Sequence, residues 1–214
     1  MYNVVKDGVH KGKCTLINQR FDESPRGYLN RVKDSILSSK RCIVLGGNHL
    51  SCLPVHEAAR EKGMFRIVLD AHRDYTKLPV GDPTHANFLS IVGNMQDVAF
   101  YGYRDGVYDT SCDADQYKCH DLDGLKTLMK SLEEGTRIYV DIDLDVIDPS
   151  LFPATGSPLP NGLSVSDVLD TLDVIGIDRI DIVSFEEYIP LSDSDGRCID
   201  IAIELISYIM ERWG

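Results

Sequence analysis

Short apolar runs alternate along the chain with longer stretches in which apolar residues recur at helical spacing. The clearest runs are CIVLG (42–46), RIVLD (66–70), VAFYG (98–102), RIYVDIDLD (137–145) and DIVSF (181–185), with CTLIN (14–18) weaker. They are continuous, β-branched and bounded by Gly, Asp or Pro, which predicts strands covered on both faces. Helical periodicity falls between them, near 27–40, 50–62, 122–134, 165–176 and 198–212. Strand–helix alternation predicts an α/β fold in three layers, α-β-α, around a mainly parallel sheet with right-handed crossovers. No repeat or linker interrupts the pattern, so residues 1–214 are expected to form one compact domain. The final run IAIELISYIMERW is expected to pack on the sheet, with Trp213 covering an edge or joining a subunit contact.

The polar residues of interest share one position, at or just past the C-terminal end of an apolar run. Gly46-Gly47-Asn48-His49 follows CIVL, Asp70 to Asp74 follow RIVL, Asp143 and Asp145 end RIYVDIDLD, and Glu186 and Glu187 follow DIVSF. Open α/β sheets bind ligands outside the carboxyl ends of their strands, so these segments aim at one crevice. In extended chain, residues two apart point the same way. Asp70, His72 and Asp74 are therefore expected to project together, and Asp143 and Asp145 likewise. With His49 they make four carboxylates and two imidazoles. Four crowded carboxylates repel one another, and two divalent cations would neutralise them. Oxygen-rich ligands with some imidazole suit a fairly hard metal, with Mn²⁺ the natural candidate beside Fe²⁺, Ni²⁺, Co²⁺ and Zn²⁺. Each motif alone has a plainer reading: DxHxD and GGNH brace turns or cap helices, and DIDLDVIDP is a strand running into an acidic turn closed by Pro149. Their joint occurrence at strand ends is what points to metals.

Composition narrows the classes. A chain of 214 residues suits one substantial domain. Acidic residues outnumber basic ones 34 to 22, a formal charge of −12. That argues against a nucleic-acid partner and fits metal cations or cationic small molecules, as well as a merely solubilising surface. No segment approaches the roughly 20 apolar residues of a membrane span, and the first residues lack the apolar core of a signal peptide. The six cysteines are scattered without a CxxC pair and read as reduced thiols in a cytoplasmic protein. Cys112, Cys119 and His120 lack zinc-finger spacing. His10, His56 and His120 read as surface or helix residues rather than ligands, and Arg73 and Arg104 as surface salt-bridge partners rather than anion contacts.

The motifs resemble those of the ureohydrolase family, which includes arginases, agmatinases, guanidino-acid hydrolases and formiminoglutamases. LGGNH resembles the family's GGDH, VLDAHRD its DAHxD, DIDLDVIDPSLFPATGSPLPNGLS its DxDxxDP segment with the following Pro- and Gly-rich loop, and FEEYIP its ExNP. Order and spacing agree from about Arg41 to Pro190. The resemblance implies an arginase-like fold and two metal sites. One would take His49, Asp70, Asp74 and Asp143; the other would take His72, Asp145 and the bridging carboxylates of Asp70 and Asp143. His85, in THANFL, falls where the family has its proton-shuttling histidine. Glu187 falls where its glutamate receives the substrate guanidinium, with Glu186 the runner-up. The implied reaction is hydrolysis of a C–N bond in a small guanidino or formimino compound by a metal-bridging hydroxide.

Departures from the pattern shape the reading. Asn48 replaces the Asp of GGDH, which removes a charge beside His49 and bears on the first metal site. Ile189 replaces the Asn of ExNP, and Asp141 sits where many relatives have serine. The chain lacks much of the N-terminal region of larger relatives, so substrate-covering loops are expected to be missing or supplied by a neighbouring subunit. With few covering loops, a homo-oligomer is expected. The stretch from Tyr75 to Thr84 lacks the Asn- and Ser-rich pattern with which arginases hold an amino acid's charged end, which favours an agmatinase-like substrate. Within it, Asp82 would suit a second substrate cation and Lys77 a substrate carboxylate. Two rivals stand beside this reading: a deacetylase-like amide hydrolase with a single metal, and a catalytically weak metal-binding relative.

Overall fold

The apolar runs end on a common rim because they lie side by side in one sheet. The computed structural model describes residues 2–5 and 14–213, apart from 73, 76–82, 86, 94, 105–117 and 120. The strands are β1 (Tyr2–Val5), β2 (Thr15–Ile17), β3 (Cys42–Leu45), β4 (Phe65–Leu69), β5 (Val98–Tyr101), β6 (Lys118–Cys119), β7 (Ile138–Asp143) and β8 (Ile180–Glu186). Their order is β2-β1-β3-β8-β7-β4-β5-β6. From β3 to β6 every pairing is parallel, while β1 pairs antiparallel with both β2 and β3. All six apolar runs are strands. Neither β1 nor β6 was expected, since both are too short to carry a pattern.

The helices are α1 (Pro25–Leu37), α2 (Leu53–Glu61), α3 (Phe88–Val92), α4 (Leu122–Ser131), α5 (Val165–Ile175) and α6 (Arg197–Trp213). Local chemistry sets their starts. Ser24 caps α1 by accepting from the Gly27 amide with Pro25 following, Asp121 caps α4, and Ser164 forms a capping box with Asp167 at α5. The five-residue α3 is unforeseen, being too short for a helical period to register.

Alternation along each strand divides the core in two. Ile43, Ile67, Leu69, Val140, Ile142, Val183 and Phe185 pack with residues of α4, α5 and α6. Cys42, Val44, Val68, Val98, Tyr139 and Ile182 pack on the other side with α1, α2 and α3. This is the expected three-layer arrangement. One irregularity matters later. Ile138 opposes Ile180, but Tyr139 opposes Ile182, so Asp181 is an extra residue in β8. The shift brings Asp141 opposite Ser184 and Asp143 opposite Glu186, all on the α1–α3 side. At the chain's far end Trp213 packs partly buried against the first core, and its carbonyl accepts from Arg41 at 3.0 Å.

Candidate metal centre

Backbone amides orient the carboxylates. Asp70 follows β4, and its Oδ1 accepts from the His72 amide at 2.6 Å. Asp143 ends β7, and its Oδ1 accepts from the Asp145 amide at 2.9 Å. Asp145 Oδ1 accepts from the Ala71 amide at 3.0 Å, which joins the β4 and β7 loops. Each carboxylate thus has one oxygen anchored and the other aimed inward. His49 Nδ1 meets Asp70 Oδ2 at 3.3 Å, Asp74 Oδ2 at 2.8 Å and Asp143 Oδ2 at 3.1 Å. His72 Nδ1 meets Asp145 Oδ2 at 2.8 Å and Asp70 Oδ1 at 3.7 Å. Two clusters result, His49/Asp70/Asp143 and Asp70/His72/Asp145, sharing Asp70.

The sequence expectation that extended chain would align these groups does not hold. After Leu69 the chain bends, and Asp74 has a positive φ of 44°. β7 stops at Asp143, and Leu144–Val146 form a 3₁₀ turn. Asp143 and Asp145 therefore diverge, one towards His49 and the other towards His72. Backbone amides, rather than a two-residue period, orient Asp70, Asp143 and Asp145.

The donor set fits divalent cations. Among the described residues His49 Nδ1 and Asp70 Oδ2 are buried without a hydrogen-bond partner, and the ring nitrogen lies 2.8–3.3 Å from three carboxylate oxygens. Ligands about 2.1 Å from a common octahedral cation lie about 3 Å apart at right angles, which is the spacing found around His49 Nδ1. Without that charge, protons must supply it. Burial and the neighbouring Asp145 and Asp74 raise Asp70 to about 6. Burial, Asp145 and Asp70 push Asp143 well up. Hydrogen bonds donated by His72 to Asp145 and Asp70 raise it to about 11.

A layer of polar groups lies behind His49. Its Nε2 is 3.1 Å from Asp141 Oδ2, and His56 Nε2 reaches the same oxygen at 2.7 Å. Asp141 Oδ1 accepts from Ser184 Oγ at 2.8 Å and Cys52 Sγ at 3.1 Å. Burial would raise the Asp141 carboxyl, but His49 and His56 hold it far below the ordinary range. His56, expected as a surface or helix residue, lies on α2 and is fully buried. No periodicity distinguishes it, because its role depends on which face of β7 meets α2. Asn48 is exposed and caps the turn at His49 by accepting from the Leu50 amide at 3.1 Å. The carboxylate against the His49 ring comes from position 141 instead.

The remaining candidates separate. Glu186 is fully buried, accepting from Ser51 Oγ and from Cys52 Sγ at 3.0 Å. Glu187 is half-buried with φ of 63°, a left-handed backbone that ordinarily costs about 1–3 kcal/mol. Its Oε1 accepts from the His49 amide at 2.6 Å, and its Oε2 points at Gly156 of the Pro- and Gly-rich loop. His85 is exposed in the turn before α3, and among the described residues no hydrogen bond joins it to the six-residue cluster. Among the described residues Arg104, expected as a surface salt-bridge partner, pairs instead with backbone carbonyls. Its guanidinium donates to the carbonyls of Asp145 and Leu159 at 2.8 Å, Pro160 and Gly102 at 3.1 Å and Val146 at 3.2 Å, stapling the loop to the turn that carries Asp145. Cys14, Cys42, Cys52, Cys119 and Cys198 are free thiols. His10, Arg73, Lys77, Asp82, Cys112 and His120 lie outside the described residues.

A parallel sheet whose strand ends gather carboxylates and imidazoles in two abutting clusters defines a class of metal-dependent α/β proteins. Within that class the chain belongs to the arginase family, whose sequence profile matches residues 10–211. It is 27% identical over 199 residues to the agmatinase of Bacillus anthracis, covering 87% of this chain and 67% of that one. It is 31% identical over 180 residues to the N(1)-aminopropylagmatine ureohydrolase of Thermus thermophilus, covering 75% and 61%. The solved arginase of Medicago truncatula superposes with a TM-score of 0.70 at 25% identity, covering 87% of this chain and 65% of that one. No helix among the described residues is long and apolar enough to cross a membrane.

Proposed function

We propose that residues 1–214 form one ureohydrolase-type domain that hydrolyses a C–N bond of a small guanidino or formimino compound, agmatinase-like rather than arginase-like. The reading rests on one observation: His49 Nδ1 faces the oxygens of Asp70, Asp74 and Asp143 at 2.8–3.3 Å, beside a second cluster of His72, Asp145 and the shared Asp70. A deacetylase-like, one-metal hydrolase would need only the second cluster, so the His49 side favours two ions. His49, Asp70, Asp74 and Asp143 would hold one and His72, Asp145, Asp70 and Asp143 the other, with Mn²⁺ the ion of the working enzyme. Ions held there would offset the carboxylate charges and supply the Lewis acidity that makes a water nucleophilic near neutral pH.

The chain's own residues supply the rest. Glu187, fixed through the His49 amide, pairs with the substrate's cationic nitrogens and holds the trigonal carbon in place. Water adds to that carbon, the C–N bond breaks, and the departing amine takes a proton from His85, which solvent then replaces. A guanidino substrate gives urea and an amine. The named activities of the Bacillus and Thermus relatives support a cationic, agmatine-like guanidine. We place the protein in the cytoplasm as a homo-oligomer, in keeping with its free thiols and the acidic surface.

The test is turnover by Mn²⁺-loaded protein of agmatine, 4-guanidinobutyrate, formiminoglutamate, arginine and an acetyl-lysine amide. Turnover of one of the first three with two ions bound is the expected result. Efficient urea release from arginine overturns the agmatinase-like assignment. Cleavage of the acetyl amide with one ion bound supports the deacetylase alternative, and two ions without turnover of any compound indicates a metal-binding relative.

A further inference from the structure

His49 has both ring nitrogens committed. Nδ1 faces the carboxylates of the candidate metal site, and Nε2 faces Asp141 at 3.1 Å. A carboxylate on the far nitrogen of a metal-binding imidazole fixes which nitrogen carries the proton and makes the other a better donor. Asp141 is built to stay in that position. It is fully buried on β7, and the offset in β8 places Ser184 directly opposite it. Ser184 Oγ and Cys52 Sγ hold Oδ1, at 2.8 and 3.1 Å, and Tyr139 Oη lies 2.8 Å from Ser184 Oγ. His56 Nε2 shares Oδ2 with His49. Two imidazoles meet one carboxylate oxygen, and both must present N–H to it.

From this we infer that Asp141 is the positioning residue of the His49 metal ligand, holding the ring as the Nε2–H tautomer with the Nδ1 lone pair turned to the ion, and that His56 in turn holds Asp141. The inference rests on the two-ion reading of the site. It assigns to position 141 the charge beside His49 that the sequence at Asn48 leaves out. Ser184 and Cys52 supply hydrogen bonds to the carboxylate, and Tyr139 pairs with Ser184, without a second full charge, so His49 feels one anion behind it.

The experiment compares parent protein, Asp141→Asn and His56→Gln, each loaded with Mn²⁺ for metal analysis and competition titration. The same three proteins are loaded with diamagnetic Zn²⁺ for ¹⁵N-histidine NMR. In the parent, two ions bind and His49 shows a protected, downfield Nε2–H. In Asp141→Asn, one ion weakens about 10–100-fold while the other keeps its affinity, and the downfield Nε2–H signal is lost. His56→Gln keeps the carboxylate and shows the same change more weakly, so the inference stays testable where Asp141→Asn fails to fold. A general loss of structure would weaken both ions alike, and that outcome counts against the assignment. Unchanged affinity and an unchanged His49 signal in a folded Asp141→Asn protein overturn the inference while leaving the two-ion site standing. A parent protein that binds no ion overturns both.

Discussion

Glu186 should carry a proton at neutral pH, and that makes the stability of the protein fall as pH rises. The carboxyl is fully buried between Ser51 and Cys52. Burial, against weaker opposition from the Cys52 and Ser51 hydrogen bonds, raises it from 4.5 to about 8. Below pH 4.5 the folded and unfolded states are both protonated and the group is neutral in both. Between 4.5 and 8 the unfolded chain ionises while the folded one keeps its proton, so stability drops by about 1.4 kcal/mol per pH unit. Above 8 both are ionised and the loss stops, at a ceiling of about 5 kcal/mol. Glu186→Gln keeps the shape, leaves an oxygen to accept and an amide to donate, and has no proton to lose. Its stability relative to the parent should therefore be near zero at pH 4.5 and rise steadily towards pH 8. Urea denaturation of the EDTA-treated proteins at several pH values measures the difference directly, with other titrating groups cancelling between parent and variant. A difference that stays flat from pH 4.5 to 8 would show that Glu186 is ionised in the fold, and the reasoning would fail.

Three further outcomes are expected. Asp70→Ala should lower the occupancy of both ions, because Asp70 belongs to both clusters, whereas His49→Ala should chiefly empty one; metal analysis of the purified variants distinguishes them, and a parent stoichiometry that saturates at one ion refutes the two-ion site. His85→Ala should slow turnover about 10²–10⁴-fold with metal content unchanged, and full activity across the pH range would mean that solvent protonates the leaving amine. Gly162→Ala should destabilise the protein by about 1–3 kcal/mol, since a Cβ there comes within 2.7 Å of the Asp148 Cα and the Ile147 carbonyl carbon, backbone that cannot swing aside; thermal melting tests this, and an unchanged Tm would show that the loop holding Asp148 yields easily.

Six of the strands and five of the helices were readable in the sequence because each is long enough for a pattern to register and is bounded by its own caps and breakers. The six proposed ligands were readable too, since each stands at the carboxyl end of a strand and a parallel sheet delivers those ends to one rim. Their exact alliance was not. The two-residue spacing suggested shared faces in extended chain, but Asp145 sits in a turn and leaves Asp143 for the other cluster. His56 carried no signal, because a histidine on a helix shows its purpose only once the helix is laid on a strand. Asp141 looked like a departure from a motif, and its neighbours were fixed by the extra residue Asp181, which sets β8 one step against β7. Arg104 likewise gained four of its five carbonyl partners only when the 145–160 loop folded back over it.

The division has a physical cause. Hydrophobic period, capping and breaking residues act over a few neighbours, so the sequence by itself determined the longer elements, their mainly parallel arrangement and which residues stand at strand ends. Register, facing and loop closure are set by contacts between residues far apart in the chain, where one inserted residue turns a polar side chain from one core to the other. Only the tertiary structure could decide that His49 meets its carboxylates through Nδ1 and is held from behind by Asp141.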